Sequence, residues 1–297
     1  MTPPLSAPLA LVCHDVGAAQ LILPWLPPDA AGVRAHLQGP ARELWIQRFG
    51  SSDALLPHLE QALDGAQWLL SGTSLRSDLE HRARVEAALR GQRTVAVIDH
   101  WVHYEARFQR DGLRVLPDEI WVCDAEAYAL AQAGFPGHDI RLQPNAWLRE
   151  QVERIAPCPD PRTHPTVLVL NEALHEPWCA ELSCPEQALN FLIEQASCLG
   201  LQAPLSLRIR LHDGEARERW DTWMRTHRGV HDIAIDRSAT LAEALDGVAW
   251  VAGLESPALV IALATGRRAV CLQPPWAPRS RLPQRGLIHL RDLIRAS

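Results

Sequence analysis

An α/β chain of two halves, each built on a parallel β-sheet and facing the other across a cleft, is what this sequence predicts, on three observations. Short, continuous apolar runs alternate with helix-period stretches along the chain, the pattern of strands buried on both faces by crossover helices. The alternation breaks over Ala156 to Pro165, APCPDPRTHP, where four prolines and no apolar period mark a stiff connection. The length, 297 residues, exceeds the roughly 100–200 residues typical of one domain. The expected organisation is therefore a Rossmann-like domain over 1–155, a linker over 156–165 and a second Rossmann-like domain over 166–297.

In the first half the predicted strands are Leu9 to Asp15, Val33 to Gly39, Trp68 to Thr73, Thr94 to His100, Glu119 to Asp124 and a last one from Ile140. Between them run helices from Gly17, through the stretch ending at Leu63, from Arg76 to Arg90, from Ala125 to Ala133 and from Asn145 to Ile155. The second half restarts with Thr166 to Leu170, followed by a helix from Glu186 to Cys198, the strand Leu205 to His212 and a helix to Thr226. Asp232 to Asp236, a short helix Leu241 to Leu245, Val248 to Gly253, a helix Pro257 to Ala264 and Ala269 to Leu272 follow, with a final helix from Leu290.

Composition excludes several functions. Apolar residues make up 47% and charged residues 22%, a globular balance. The net charge of −6, with no long basic run, excludes a nucleic-acid polymer as partner, since such binding neutralises several phosphates. All 29 basic residues are arginine, which removes lysine Schiff-base chemistry and a lysine-dependent P-loop, and no cofactor is expected. Seven scattered cysteines without a CxxC pair read as reduced thiols, and His175, Cys179 and Cys184 match no standard zinc spacing. The start lacks a signal-peptide pattern and no long apolar run occurs, so the expectation is a cytoplasmic protein with at most peripheral membrane association.

Ligands of open parallel sheets bind beyond the carboxyl ends of the strands, which directs attention to HDVGAA, SGTSLRSD, IDHWVHYEARF, NEALHEPW, RLHDGE and GLESPAL. In the first, the small residues around Gly17 either admit a ligand to backbone N–H groups, with His14 and Asp15 as acid–base groups, or Asp15 caps the helix and Gly17 makes the turn. Thr73 and Ser74 form a hydroxyl-rich helix start that suits a phosphate or a sugar hydroxyl, and equally an ordinary N-cap. Asp99 to Phe108 is the most unusual stretch. Asp99 and His100 are candidate bases there, while Trp101, Tyr104 and Arg107 suit a carbohydrate ring; the alternative is a polar cap whose aromatics are core.

Arg208, Arg210 and His212 alternate on one face of a strand, where an arginine needs an anion or an acid partner unless the strand is an edge, the reading preferred for Arg208. Ser256 before Pro257 makes a helix start that can seat a phosphate, with Glu255 beside it for ribose hydroxyls.

RLHDG (Arg210 to Gly214), RSATLAEALDGVAWVAG and LESPALVIALATGRRAVCL (Leu254 to Leu272) together resemble the nucleotide-sugar-binding domain of GT-B glycosyltransferases and their relatives. HDVGAA, GTSLRSDLE, DHWVHYEARF and LPDEIWVCD look like proteins of bacterial surface-polysaccharide gene sets. The chain departs from the pattern at Asp213, where many relatives have proline, and in having Ser256 alone of the usual hydroxyl cluster. The resemblance implies that His212 and Ser256 contact donor phosphate and that Glu255 lies near the nucleotide. It implies a glycosyltransferase acting without a metal, with a nucleotide-sugar donor and a glycan or glycoconjugate acceptor, and Asp15 or Asp99 as base. Two alternatives stay open. One is hydrolysis or epimerisation of the nucleotide sugar, with His14 or His100 activating water or moving a ring proton; the other is a non-catalytic sugar- or nucleotide-binding protein.

Overall fold

β1 (Leu9–Cys13) is apolar and buried at every position. Its alternate residues enter two different cores, Leu9, Leu11 and Cys13 on one side and Ala10 and Val12 on the other, because the strand lies inside a sheet covered on both faces. In this computed structural model residues 3, 5–172, 178, 183–212 and 217–294 are described. The chain divides into two compact units, Met1–Trp147 and Leu148–Ser297.

In the first unit β1 is followed by α1 (Val16–Ile22), β2 (Val33–Leu37), α2 (Gly39–Phe49), α3 (Leu59–Leu63), β3 (Trp68–Ser71), α4 (Leu79–Leu89) and β4 (Arg93–Val97). A small antiparallel hairpin, β5 (Gln109–Arg110) and β6 (Leu113–Arg114), precedes β7 (Glu119–Val122), α5 (Ala125–Gly134) and β8 (Asp139–Leu142). α1 and α2 pack on one face of the sheet and α3 and α4 on the other. The six-stranded sheet runs β2-β1-β3-β4-β7-β8, parallel throughout. The edge strand β8 is mostly exposed, whereas β3 and β7 are wholly buried.

α6 (Ala146–Glu153) begins at the boundary between the units. The proline-rich stretch 156–165 contains no helix or strand and lies on the second unit, with Arg267 donating to Ala156 O and Trp250 Nε1 to Pro161 O. The second unit then comprises β9 (Val167–Leu170), α7 (Cys184–Gln195), β10 (Ser206–Arg210), α8 (Arg217–His227), β11 (Asp232–Ile235), α9 (Leu241–Leu245), β12 (Trp250–Gly253), α10 (Pro257–Ala264), β13 (Arg268–Cys271), β14 (Ile288–His289) and α11 (Leu290–Leu293). Its sheet runs β11-β10-β9-β12-β13-β14, again all parallel. α7 and α8 supply Leu189, Leu192, Trp220 and Met224 to one core beneath it. The predicted α/β class and the two Rossmann-like sheets are both present.

Three details differ from expectation. β10 is an interior strand, not an edge, and Arg208 is accommodated there by Asp236, at 3.4 Å, and by Ala244 O. Cys13, Cys123, Cys158, Cys198 and Cys271 are free, but Cys184 is disulfide-bonded. β14 and the β5–β6 hairpin were not foreseen. His175, Cys179, Asp213 and Gly214 lie outside the described residues. Among the described residues no helix is long and apolar enough to cross a membrane.

Candidate functional site

Each sheet reverses its winding once, between β1 and β3 in the first unit and between β9 and β12 in the second, so the loops after those strands flank a switch point.

At the first of these, His14 Nδ1 lies 2.7 Å from Asp15 Oδ1, and both side chains are about three-quarters buried. The residue is held from two further directions, at its backbone and at its ring. The His14 backbone N–H donates to Glu80 Oε1 at 2.8 Å, and a Cβ at Gly39, where φ is +51°, would come 2.7 Å from His14 Nε2. Glycine at 39 therefore serves both the left-handed backbone and the approach of the ring. An acid holding one ring nitrogen is part of the arrangement of an oriented general base.

Asp99, after β4, accepts from Arg107 Nη1 at 2.7 Å. Its other oxygen lies so close to Gly17 that any Cβ there would overlap it. Arg107 is buried and also donates to Thr73 O, Thr73 Oγ1 and Val102 O, so its guanidinium braces the loops after β3 and β4. Thr73 in turn donates to Val97 O, and Ser74 Oγ accepts from the N–H groups of Arg76 and Ser77. Glu80 and Arg84, one helical turn apart on α4, are both about 1% exposed beneath these loops. Burial pushes the Glu80 carboxyl up and the Arg84 guanidinium down to about 10. Burial, then the charges of Glu80, Asp99 and Asp15, push the Cys13 thiol well up, which makes Cys13 an inert thiol.

The remaining residues of this stretch take separate places. Tyr104 is buried with Phe108 and Phe135 and donates to Ala127 O, so its ring is core. Trp101 Nε1 donates to Asp124 Oδ2, its ring edge-on to His100, whose Nδ1 accepts from Trp101 N.

In the second unit Arg210 donates to Asp236 Oδ2 at 2.7 Å and to Ser238 O, while His212 is exposed beyond the end of β10. Glu255 accepts from Arg281 N and Nε and from Gln273; burial alone would raise its carboxyl, but the Arg281 bonds hold it below the ordinary value. Ser256 caps α10 by accepting from Ala258 N, and the N–H groups of Leu254, Glu255 and Ser256 converge on the carboxylate of Glu172, after β9. Among the described residues no three His, Cys, Asp or Glu side chains are grouped to hold a metal ion.

No protein-family model matches the chain, and no curated protein does. Solved structures do. A Listeria monocytogenes protein with the proposed identity of a UDP-N-acetylglucosamine 2-epimerase superposes with a TM-score of 0.59 at 14% identity, covering 97% of this chain and 86% of its own. The UDP-GlcNAc 2-epimerase of Methanocaldococcus jannaschii gives 0.59 at 8% identity, over 95% and 88%. That of Neisseria meningitidis, bound to UDP-GlcNAc, gives 0.58 at 10%, over 89% and 82%. The fold is GT-B-like. At such identities the likeness is one of architecture, and the chemistry rests on the residues.

The structure thus brings His14, Asp15, Gly17, Thr73, Asp99 and Arg107 together in one unit and Arg210, Glu255 and Ser256 at strand ends of the other. Glu80, Arg84, Asp236 and Glu172 belong to these sites without having been singled out. For Glu172 a signal existed, since NEALHEPW follows directly on a strand.

Proposed function

We propose that this chain is an enzyme of nucleotide-sugar metabolism that epimerises or hydrolyses the bound nucleotide sugar without passing it to an acceptor. The observation that carries the reading is the His14–Asp15 pair set with Asp99 at the carboxyl ends of β1 and β4. Asp15 fixes the imidazole through Nδ1, so Nε2 is the atom that takes a proton from a ring carbon or from water. Asp99, held by Arg107, is a second carboxylate for orienting a sugar hydroxyl or returning a proton. The likeness in fold to UDP-GlcNAc 2-epimerases favours a reaction on the donor over the transferase that the sequence resemblance implies.

Incubation with UDP-GlcNAc in D2O without acceptor, followed by proton NMR, tests this, with other nucleotide sugars run in parallel. Consumption of donor is expected. Deuterium at the inverted carbon identifies epimerisation, and release of nucleotide with unlabelled sugar identifies hydrolysis. His14→Ala and Asp99→Asn are expected to lower the rate by roughly 10²–10⁴-fold. Donor consumed only after a glycan is added returns the transferase; no consumption under either condition overturns the reading.

A further inference from the structure

Two charged side chains of α4 reach the ends of β1 and β3. Bonds between parallel strands follow one another at even spacing, and Gly72 N donates to Val12 O, so the next rung would run from His14 N to Gly72 O. The pairing stops one step short of it, at Val12 and Ser71. His14 N donates instead to Glu80 Oε1 at 2.8 Å, and Gly72 O accepts instead from Arg84 Nη1 at 3.2 Å. Glu80 and Arg84 stand one turn apart on one face of the helix, so they take both partners of the missing rung together. Room for them is built in, since a Cβ at Gly72 would stand 3.2 Å from Glu80 Oε1, 3.1 Å from Cys13 Sγ and 2.9 Å from Ala18 Cβ. The exchange opposes folding: Glu80 Oε2 and Arg84 Nε are buried with no hydrogen-bond partner among the described residues, where a backbone rung would have left no polar atom unmet.

We propose that Glu80 is a positioning residue of the first site: it takes His14 N away from the β1–β3 ladder and thereby sets where the imidazole stands against Asp15. Arg84 completes the exchange by occupying Gly72 O, so the ladder cannot close one rung further. The role needs the reach of the side chain rather than its charge. A glutamine presents an acceptor oxygen at the same distance from the helix, whereas an aspartate keeps the charge and ends one carbon–carbon bond, about 1.5 Å, short. The inference rests on the proposed reaction only for what the placed imidazole does there, and the placement itself is read without any substrate.

The experiment compares full-length wild type, Glu80→Asp and Glu80→Gln by the proton–carbon signals of the His14 ring, by hydrogen exchange at the His14 amide, and by turnover of UDP-GlcNAc. In Glu80→Asp the ring signals are expected to move and the amide to exchange roughly tenfold faster, the effect of one lost hydrogen bond. Its kcat is expected to fall roughly 10²-fold with KM little changed, the signature of a misplaced group rather than of lost binding. Glu80→Gln is expected to keep the ring signals in place and to lose no more than about threefold in kcat. The reverse order, with aspartate sparing the site and glutamine disturbing it, assigns the role to charge and overturns the proposal, as does a folded Glu80→Asp whose His14 signals stay put. Should Glu80→Asp fail to fold by circular dichroism, Glu80→Gln decides alone, and movement of its His14 signals overturns the proposal. Turnover by wild type that Glu80→Asp matches sinks this inference alone. Absence of turnover in wild type, with the His14 signals moved by aspartate and not by glutamine, sinks the functional reading alone.

Discussion

Gly17 tests the first site directly, because a methyl group there has no room beside the Asp99 carboxylate. Gly17→Ala is expected to displace Asp99 and lower turnover by about 10²-fold with the fold retained, as judged by circular dichroism and steady-state rates. Glu80 carries a prediction in pH. Burial raises its folded value above the ordinary 4.5, so its contribution to stability is complete below that value and is lost as pH rises through the raised one. Glu80→Gln removes the charge while keeping an acceptor for His14 N. It is expected to melt above wild type in neutral and mildly alkaline buffer, with the difference vanishing on acidification toward 4.5. His14, Asp15 and Asp99 were legible because each follows an apolar strand. Glu80 and Arg84 were not, since charges one turn apart on a helix ordinarily read as its wet face. Their burial depends on the loops after β3 and β4 folding over them.

β10 shows how far an element can be read from its pattern. The alternation of Leu207 and Ile209 with Arg208 and Arg210 identifies a strand and its two faces, and the rule that such arginines need an acid is met by Asp236 at the end of β11. What the pattern could not tell was that β10 lies inside the sheet, since strand order is set by crossovers distant in sequence. Asp236 is about 2% exposed and serves both arginines, so Asp236→Ala is expected to destabilise the second unit by about 2 kcal/mol in denaturant titration. β14 escaped notice because two residues carry no period. The start of α10, by contrast, is readable from Ser256 and Pro257, and NEALHEPW marks Glu172 as a strand-end residue, but that the two meet is not legible, since Glu172 is 82 residues away from Leu254.

At the scale of the whole molecule, each core among the described residues falls within one unit or the other. Heating is therefore expected to give two components in scanning calorimetry, with Trp220→Ala lowering one by the equivalent of about 3–5 kcal/mol and leaving the other in place. The alternation of apolar runs and helices made both sheets legible in advance. Each unit is one unbroken stretch of chain, and each sheet puts its first-made strand, β1 or β9, in the interior with later strands on both sides. During synthesis β1 must therefore wait for β2 and β3 to leave the ribosome before either flank is covered. The first unit can then close around His14 and Asp99 while the second is still being translated.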